Sequence, residues 1–454
     1  MKTIKFFVAT SMAAAVALSI HAPAHAAGFE SQSLSTSAMG TANAGISVYG
    51  SDATNQFANP ATLSDIKQPT LSLGGQLIVA QLDFSDQGTE NAFGAPIPGE
   101  GNVDDFLISF VPSLYLALPM SDSVAIGLSV NTPFASKTEY DDDWVGRYHT
   151  TNSEIVTYNI NPALSFKVSD SVSLGFGVSA QMIDATLESA VNQYSVCFNG
   201  ALAQSDPVTP AVVEAAATNC APLVGVDGQQ KLTGDSWAYG WNVGAIFQVA
   251  PSTRLAFDYR SEVKHDLDGT ASFTGIAPNL TANGTQLVTT SASLGVDLPQ
   301  SLSVAMMTAV GPNTDLMLDV SWMGWSSFDE LVVDYDSEQD DTALPQNWED
   351  AFRFAAGFEH RYSSASAWKM GIAFDETPVP NSEYRSPRIP DSDRVWLSVG
   401  WSSQLSESMD LDLGYTHVFI NGTQTANVSP TNDVLQGNYN NSADILGAQL
   451  NWRF

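Results

Sequence analysis

Histidines near acidic residues are the first candidates for chemistry in this sequence. His149 follows a short acidic run, Asp141–Asp143, in a polar stretch, and these residue types can supply a general base and its orienting carboxylate. His265, His360 and His417 are scattered without the spacing of a catalytic motif. A hydrolase would depend on His149, and we do not expect an enzyme.

Two further groups of residues could form a site. Cys197 and Cys220 are the only cysteines, so an even count predicts a disulfide if the chain is exported, whereas a metal site would need more soft ligands. We expect neither a metal nor another cofactor. Arg260 and Lys264 are predicted to share one face of a strand with Glu262 and Asp266. They could form an internal ion-pair ladder or contact a ligand.

The first residues predict export. Lys2 and Lys5 precede or open an apolar run ending near Ile20, and Ala24-His25-Ala26 resembles a cleavage site, so residues 1–26 are predicted to be a signal peptide. A membrane anchor is the alternative, but the run is shorter than the roughly 20 apolar residues that span a bilayer. The even cysteine count is then consistent with a disulfide in an oxidising compartment.

The mature chain is strongly acidic. Without the two lysines of the signal peptide, 15 basic residues remain against 49 acidic ones, a net charge of −34. This charge excludes nucleic acid as a partner. Acidic residues concentrate in EYDDDW and DYDSEQDD. These stretches are predicted to be solvated loops, with divalent-cation binding at a lipopolysaccharide surface as the alternative.

Alternating apolar and polar residues recur along the whole chain. They are clearest in DSVSLGFGVSAQM, AFRFAAGFEHR, WKMGIAFD and the terminal ILGAQLNWRF. This period of two predicts strands with one apolar and one polar face. Short turns near 119–122, 168–171, 250–253 and 311–314 alternate with long loops near 85–103, 133–153, 189–235, 269–287, 336–349, 378–391 and 423–440. That asymmetry is typical of an outer-membrane β-barrel.

The number of strands needs one correction. A first count gives fifteen, but single-chain bacterial barrels have even numbers. Merging residues 287–310 into one strand, kinked or bulged at Pro299, gives fourteen. The predicted fold is therefore all-β: a 14-stranded antiparallel transmembrane barrel in which the last strand pairs with the first. Terminal Phe454 fits the signal that barrel-assembly machinery recognises in this class.

The chain resembles the outer-membrane long-chain fatty acid transporters of the FadL type. The resemblance covers essentially the whole mature chain. It is carried by Ala27-Gly28-Phe29, Asn59-Pro60-Ala61, WVGRYH, NINPALSFKV, YRSEVKHDLDG, WSSFDEL, GIAFDETPVP and IPDSDRVWLSVG. It implies an N-terminal plug, residues 27–68, inside a barrel formed by residues 69–454. It further implies capture of a hydrophobic ligand at extracellular loops, transfer to an internal pocket and lateral release into the membrane.

Several residue roles follow from the resemblance. Asn59, Pro60 and Ala61 would form the plug turn nearest the gate, with a purely structural turn as the alternative. Trp144, Arg147, Arg260 and Lys264 are the candidate ligand-binding residues. Residues 209–219, TPAVVEAAATN, are predicted to form an apolar helix that either receives ligand or stabilises its loop.

One departure bears on the substrate. Ser189 and Leu344 stand near positions where relatives have basic residues for a carboxylate, so neutral aromatic or alkane hydrocarbons are an alternative to fatty acids. An open porin is disfavoured by the plug-like segment. We expect a monomer in the outer membrane of a Gram-negative bacterium, among lipid and lipopolysaccharide. An additional role as phage receptor or adhesin stays open.

Overall fold

The structure is a computed structural model that describes residues 28–32, 34–50, 52–281 and 287–454. The predicted signal peptide lies outside these residues. In chain order the strands are β1 Thr70–Asp86, β2 Asn102–Pro119, β3 Val124–Asn131, β4 Ala135–Glu139, β5 Asn152–Ser169, β6 Val172–Asn192, β7 Asp227–Ala250, β8 Thr253–Arg260, β9 Val263–Thr274, β10 Thr290–Leu298, β11 Ser301–Gly311, β12 Thr314–Met323, β13 Glu330–Tyr335, β14 Thr342–Pro345, β15 Ala351–Arg361, β16 Ser366–Asp375, β17 Arg394–Ser406, β18 Met409–Ile420, β19 Thr423–Val428, β20 Val434–Tyr439 and β21 Ser442–Arg453.

These segments form one closed antiparallel barrel of fourteen transmembrane strands, as the sequence predicted. Six transmembrane strands consist of two consecutive segments, namely β3/β4, β8/β9, β10/β11, β12/β13, β18/β19 and β20/β21. The merged strand is confirmed, because β10 and β11 are separated only by Pro299 and Gln300. β21 closes the barrel on β1, from Thr70 opposite Arg453 to Gln81 opposite Ser442.

The faces of the strands are those that the alternation predicted. On β6, Leu174, Phe176 and Val178 are exposed, whereas Ser173 and Gln181 are buried inside. β16 and β21 repeat the pattern, with Trp368, Met370, Ile372, Leu446 and Trp452 exposed. The apolar outer surface can face lipid, and the closed ladder leaves few backbone groups without partners. The short turns mark the periplasmic end, and the long loops mark the extracellular end.

The N-terminal segment, of which residues 28–32, 34–50 and 52–68 are described, is mostly buried and contacts strands all around the barrel from the inside. It contains one short helix, α1 Thr36–Met39, and two 3-10 helices, Ala53–Gln56 and Pro60–Asp65. Each begins with a side chain that caps its first turn: Ser35, Asp52 and Asn59 accept hydrogen bonds from Ala38, Thr54 and Ala61. Polar caps allow this segment to fold without long secondary structure.

Two helices lie in the long loop between β6 and β7: α2 Gln193–Ala203 and α3 Pro210–Cys220. The second confirms the helix predicted at 209–219. A disulfide between Cys197 and Cys220 joins the two helices, as the cysteine count predicted. Three more 3-10 helices cover Ala221–Leu223, Pro278–Leu280 and Trp325–Ser327. Within the described residues, no helix has the length and apolar character needed to cross a membrane.

Candidate functional site

The extracellular half of the lumen is filled by apolar side chains, which we call the upper apolar cluster. Its members are Phe29, Phe134, Ile155, Ile183, Ala185, Ala238, Val263, Leu267, Val296, Leu298, Met323, Trp325, Phe328, Leu331, Trp348, Ala351, Val379 and Ile389. Phe29 of the N-terminal segment lies at its centre, with its ring centroid 5.0 Å from that of Trp325 and 5.8 Å from that of Phe134. Aromatic rings at such distances attract one another beyond their simple burial.

The barrel wall is interrupted beside this cluster. β3 pairs with β2 only along Leu114–Pro119, and β4 pairs with β5 rather than with β2. Residues 102–113 of β2 are therefore paired with β1 alone in the described registers. The break falls at Thr132-Pro133, where proline cannot donate to a strand ladder. This wall gap lies between β2 and β4.

The N-terminal segment covers the inner side of the wall gap. The Ser31 amide donates to Pro133 O at 2.7 Å, and the Ala135 amide donates to Phe29 O at 3.0 Å. Outside the barrel, Phe106, Ile108 and Phe110 of β2 are 62%, 68% and 66% exposed. The gap thus has an apolar lipid-facing surface on one side and Phe29 with Phe134 on the other.

A small apolar cavity adjoins the upper apolar cluster. It measures about 30 Å³ and is lined by residues of β6, β7, β9, β10 and β13, among them Leu187, Leu232, Leu267, Leu294 and Val333. Pockets that hold small organic ligands are typically about 300–1,000 Å³. A hydrophobic ligand could enter here only if packed side chains moved apart.

Asn59, Pro60 and Ala61 lie against the wall at β6 and β7. A β-carbon on Gly175 would come within 2.3 Å of Ala61 N, and one on Gly244 within 1.9 Å of Asn59 Oδ1. Only glycine permits this close approach of the N-terminal segment. The turn therefore packs tightly on a part of the wall distinct from the β2–β4 gap.

A buried polar network holds the N-terminal segment at the periplasmic end. Lys369 Nζ donates to Ser37 O at 2.9 Å and lies 3.6 Å from Asp412 Oδ1 and 3.7 Å from Glu359 Oε2. Gln449 Nε2 donates to Asp52 Oδ2 at 3.2 Å. Arg254 and Asp65 form an ion pair at 2.5 Å.

A polar cavity of about 100 Å³ lies between the network and the upper apolar cluster. Its charged and polar lining residues are Glu30, Gln32, Asn43, Asp258, Arg260, Ser301, Ser303, Asp319, Ser321, Arg353 and Asp375, and its apolar ones are Leu34, Ile46, Phe57, Ala58, Met323, Trp325 and Ala351. Burial raises the pKa of Glu30 to about 8, so this carboxyl is largely protonated at neutral pH. The cavity therefore places charged groups beside apolar side chains.

The four candidate ligand-binding residues do not form one pocket. Arg260 lines the polar cavity, with its guanidinium over the Phe57 ring at 3.7 Å and a hydrogen bond to Phe57 O. Trp144 is fully buried in a loop cluster, stacked on Tyr140 at 4.0 Å. Arg147 pairs with Asp227 at 2.7 Å and donates to Pro98 O. Trp144 and Arg147 thus tie extracellular loops together.

The predicted shared lumen face of Arg260 and Lys264 is wrong. β7 pairs Asn242 with Arg260 but Asp235 with Asp268, so the register shifts by one residue at Ser261–Glu262. An extra residue reverses the alternation beyond it. Val263, His265 and Leu267 are consequently buried, whereas Lys264 is exposed. Lys264 pairs on the outer surface with Asp297 at 2.5 Å and Glu262 at 3.3 Å.

His149 is buried beneath the loops. Its Nδ1 lies 3.1 Å from Asn427 Oδ1, and burial lowers its pKa to about 4. Among the described residues, no hydrogen bond or ion pair joins it to Asp141–Asp143. The described part of the chain also contains no group of three metal-ligating side chains suitable for a metal ion.

Sequence reasoning missed two features of this region. The wall gap has a signal, since Pro133 interrupts a strand as Pro299 does, but residues 133–153 were predicted to be loop. Arg388 lies in the loop between β16 and β17, where it donates to Thr150 Oγ1 at 3.3 Å and its backbone carbonyl accepts from Thr138 Oγ1 at 3.1 Å. No local pattern in SPRIP distinguishes this arginine from others.

A closed barrel with an apolar outer face and an even number of strands is the form of a bacterial outer-membrane protein. The family model described as outer membrane protein transport protein (OMPP1/FadL/TodX) matches residues 17–454. The chain belongs to this family, and it is therefore an outer-membrane transport protein of a Gram-negative bacterium.

Individual relatives agree with this assignment. The chain is 30% identical over 421 residues to a long-chain fatty acid transport protein of Escherichia coli O6:H1, with 91% of each chain covered. In fold it is similar to a Pseudomonas aeruginosa FadL homologue, with a TM-score of 0.83 at 23% identity, covering 94% of this chain and 100% of that one. The Ralstonia pickettii toluene transporter TbuX gives a TM-score of 0.63 at 19% identity, with coverage of 94% and 99%.

Proposed function

We propose that this protein takes up long-chain fatty acids or comparably hydrophobic molecules and releases them sideways into the outer membrane. The observation that carries the proposal is the juxtaposition of the upper apolar cluster with the wall gap. Phe134 belongs to the cluster and directly precedes β4, which borders the gap. A molecule that leaves the cluster there remains in apolar surroundings throughout.

A route that avoids water is energetically favourable for an alkyl chain. Each buried methylene group is stabilised by about 0.8 kcal/mol relative to water, so a long alkyl chain would lose many kcal/mol on crossing an aqueous lumen. In this proposal the N-terminal segment is a plug that keeps the polar cavity and the periplasm apart from the ligand path. Phe29 and Phe134 would move apart as the ligand passes.

Two further roles belong to the proposal. The loops, including α2 and α3, would receive the ligand, since Phe93 packs against Tyr194 and Phe198 at ring distances of 5.3 and 5.0 Å near their outer surface. Asn59-Pro60-Ala61 would serve as a fixed support and not as the moving part. Its close contacts with Gly175 and Gly244 favour this structural alternative.

Uptake of a neutral hydrocarbon is the second candidate function. It is favoured by Ser189 and Leu344, which supply no positive charge near the positions where the family resemblance implies basic residues. Leu344 packs against the upper apolar cluster, so this part of the lumen is apolar as well. The similarity in fold to the toluene transporter is compatible with either substrate class.

The test compares uptake of radiolabelled oleate and toluene by cells with and without the protein. At least one of the two compounds should enter faster when the protein is present. If the uptake rate of neither compound depends on the protein, the proposal is refuted. Lateral release is tested with Phe134→Glu, which places a charge on the dry route. This variant should abolish uptake while the barrel still folds, whereas Val428→Glu, at the exposed end of β19, should leave uptake unchanged.

A further inference from the structure

The arginines of this chain differ in how their charge is balanced. Nine arginines are present, and all lie within the described residues. Five of them form ion pairs with carboxylates: Arg147, Arg254, Arg361, Arg394 and Arg453. Paired guanidinium groups of this kind are the usual state of arginine away from solvent.

The other four arginines form no ion pair within the described residues, but three face carboxyl groups nearby. Arg260 interacts electrostatically with Asp258 and Glu30, and Arg353 with Asp319 and Asp375. Arg385 interacts with Asp391 and Asp393. Each of these three charges therefore has carboxyl groups that act on it favourably.

Among the described residues, no carboxyl group forms an ion pair with Arg388 or acts electrostatically on it. Within the same residues, the Tyr335 hydroxyl is the ionisable group that acts on its charge, and the guanidinium donates one hydrogen bond, to Thr150 Oγ1 at 3.3 Å. Burial lowers the pKa of Arg388 to about 10, so the side chain is still charged at neutral pH. The Arg388 side chain is only partly exposed to water, and a charge held there without a counter-charge is stabilised by an anion.

The position of Arg388 connects the loops with the apolar lumen. The next residue, Ile389, belongs to the upper apolar cluster. Tyr335 packs with Val333 and with Leu294, two residues that line the small apolar cavity. Thr138, whose hydroxyl bonds to the Arg388 carbonyl, lies on β4 beside the wall gap. A cationic head site thus adjoins an apolar site for a tail.

We propose that Arg388 is the anion receptor of this transporter and holds the carboxylate of a single-chain amphiphile whose tail enters the upper apolar cluster. The planar guanidinium matches a carboxylate with two parallel hydrogen bonds. The inference rests on the proposed function and deepens it, because it selects fatty acids over neutral hydrocarbons. It also supplies a positive charge that Ser189 and Leu344 do not.

The acidic loops do not contradict this assignment. They lower the encounter rate of an anion, but charges in water are largely screened beyond about 8 Å at physiological ionic strength. Arg388 acts at contact distance in a partly dry environment, where its attraction is much less screened.

The test measures binding of radiolabelled oleate and of methyl oleate to the purified full-length barrel in detergent. The ester keeps the tail but removes the charge. Wild-type protein should bind oleate about tenfold to a hundredfold more tightly than the ester, the range of a hydrogen bond to a charged group. Arg388→Gln should abolish this preference, and Arg388→Lys should restore much of it.

Lys231→Gln is the matched control. It removes one positive charge at the same end of the molecule, from an exposed lysine paired with Glu188 on the surface. It should leave the oleate preference unchanged. The inference is overturned if Arg388→Gln weakens both ligands equally, if the control has the same effect, or if wild-type protein binds the ester as tightly as the acid. Should Arg388→Gln fail to fold, Arg388→Met takes its place with the same expected loss of the oleate preference. Failure of wild-type protein to bind or take up either compound would instead refute the proposed function.

Discussion

The two halves of the lumen hold the N-terminal segment by different forces. At the extracellular end, Phe29 packs among the rings of Phe134, Trp325, Phe328 and Trp348. At the periplasmic end, the same segment is held by the Lys369 network and by the ion pair between Asp65 and Arg254.

This difference suggests which half can open. Apolar contacts are non-directional, so an entering hydrophobic molecule can replace them with little loss. Buried ionic contacts have no such substitute, because separating them leaves charges without partners. We therefore expect the extracellular half to part around a ligand while the periplasmic half stays closed. Such a division would let a hydrophobic molecule pass without creating a water-filled pore.

The largest effect is expected at the periplasmic end, for Lys369→Met. The change leaves the carboxylate of Asp412 buried without its cation, whereas Glu359 keeps its ion pair with Arg361, and the loss should lower the free energy of unfolding by about 3–5 kcal/mol. Urea unfolding in lipid vesicles measures it, and conductance in planar bilayers should rise as the segment loosens. Lys167→Met, which breaks an exposed pair with Asp170, should change stability far less, because water screens that pair. Equal effects of the two variants would remove the distinction between the halves.

A smaller effect is expected where the N-terminal segment touches the wall, for Gly175→Ala. The new β-carbon would lie 2.4 Å from the Pro60 carbonyl carbon, and overpacking of this kind typically costs about 1–3 kcal/mol. Gly295→Ala is the control, since its β-carbon would meet nothing within 4 Å. In urea, the free energy of unfolding should be lower for Gly175→Ala than for Gly295→Ala. If both unfold like wild-type protein, the tight contact with Pro60 and Ala61 does not exist.

Between the two halves, Glu30 predicts a dependence on pH. Its pKa is raised by burial from 4.5 to about 8, so the folded state binds more protons than the unfolded state within that window. Stability should therefore fall as pH rises from about 4.5 to 8, by at most about 1.4 kcal/mol per pH unit. Glu30→Gln should flatten this slope. An identical slope in variant and wild-type protein would place Glu30 in water.

The sequence predicts the fold better than the site because alternation encodes which face of a strand is apolar. Leu174, Phe176 and Val178 face outward as their spacing requires. The alternation predicts the wrong face where the register shifts, as at Ser261–Glu262, because one added residue reverses the faces beyond it. Such an added residue has no sequence signature of its own.

The site depends on contacts between distant parts of the chain, which local patterns do not encode. Arg147 and Arg388 are both loop arginines in the sequence, yet the fold gives one of them Asp227 as a partner and leaves the other without a carboxylate among the described residues. Likewise Phe29 meets Trp325 only because the N-terminal segment runs inside the barrel.

The smallest effect is expected in the extracellular half, for Phe328→Leu. The substitution keeps an apolar side chain but removes ring contacts with Phe29 and Trp348, at 5.4 and 4.7 Å, each worth roughly 0.5–1.5 kcal/mol. Because these contacts must break when a ligand passes, losing about 1 kcal/mol of them should raise the rate of oleate uptake about fivefold and lower the free energy of unfolding by about the same 1 kcal/mol. Phe352→Leu, on the lipid-facing surface, is the matched control and should leave uptake unchanged. An uptake rate for Phe328→Leu at or below that of the control would mean that the aromatic contacts do not limit opening. In that case, a ligand would replace the contacts of the extracellular half no more easily than those of the periplasmic half.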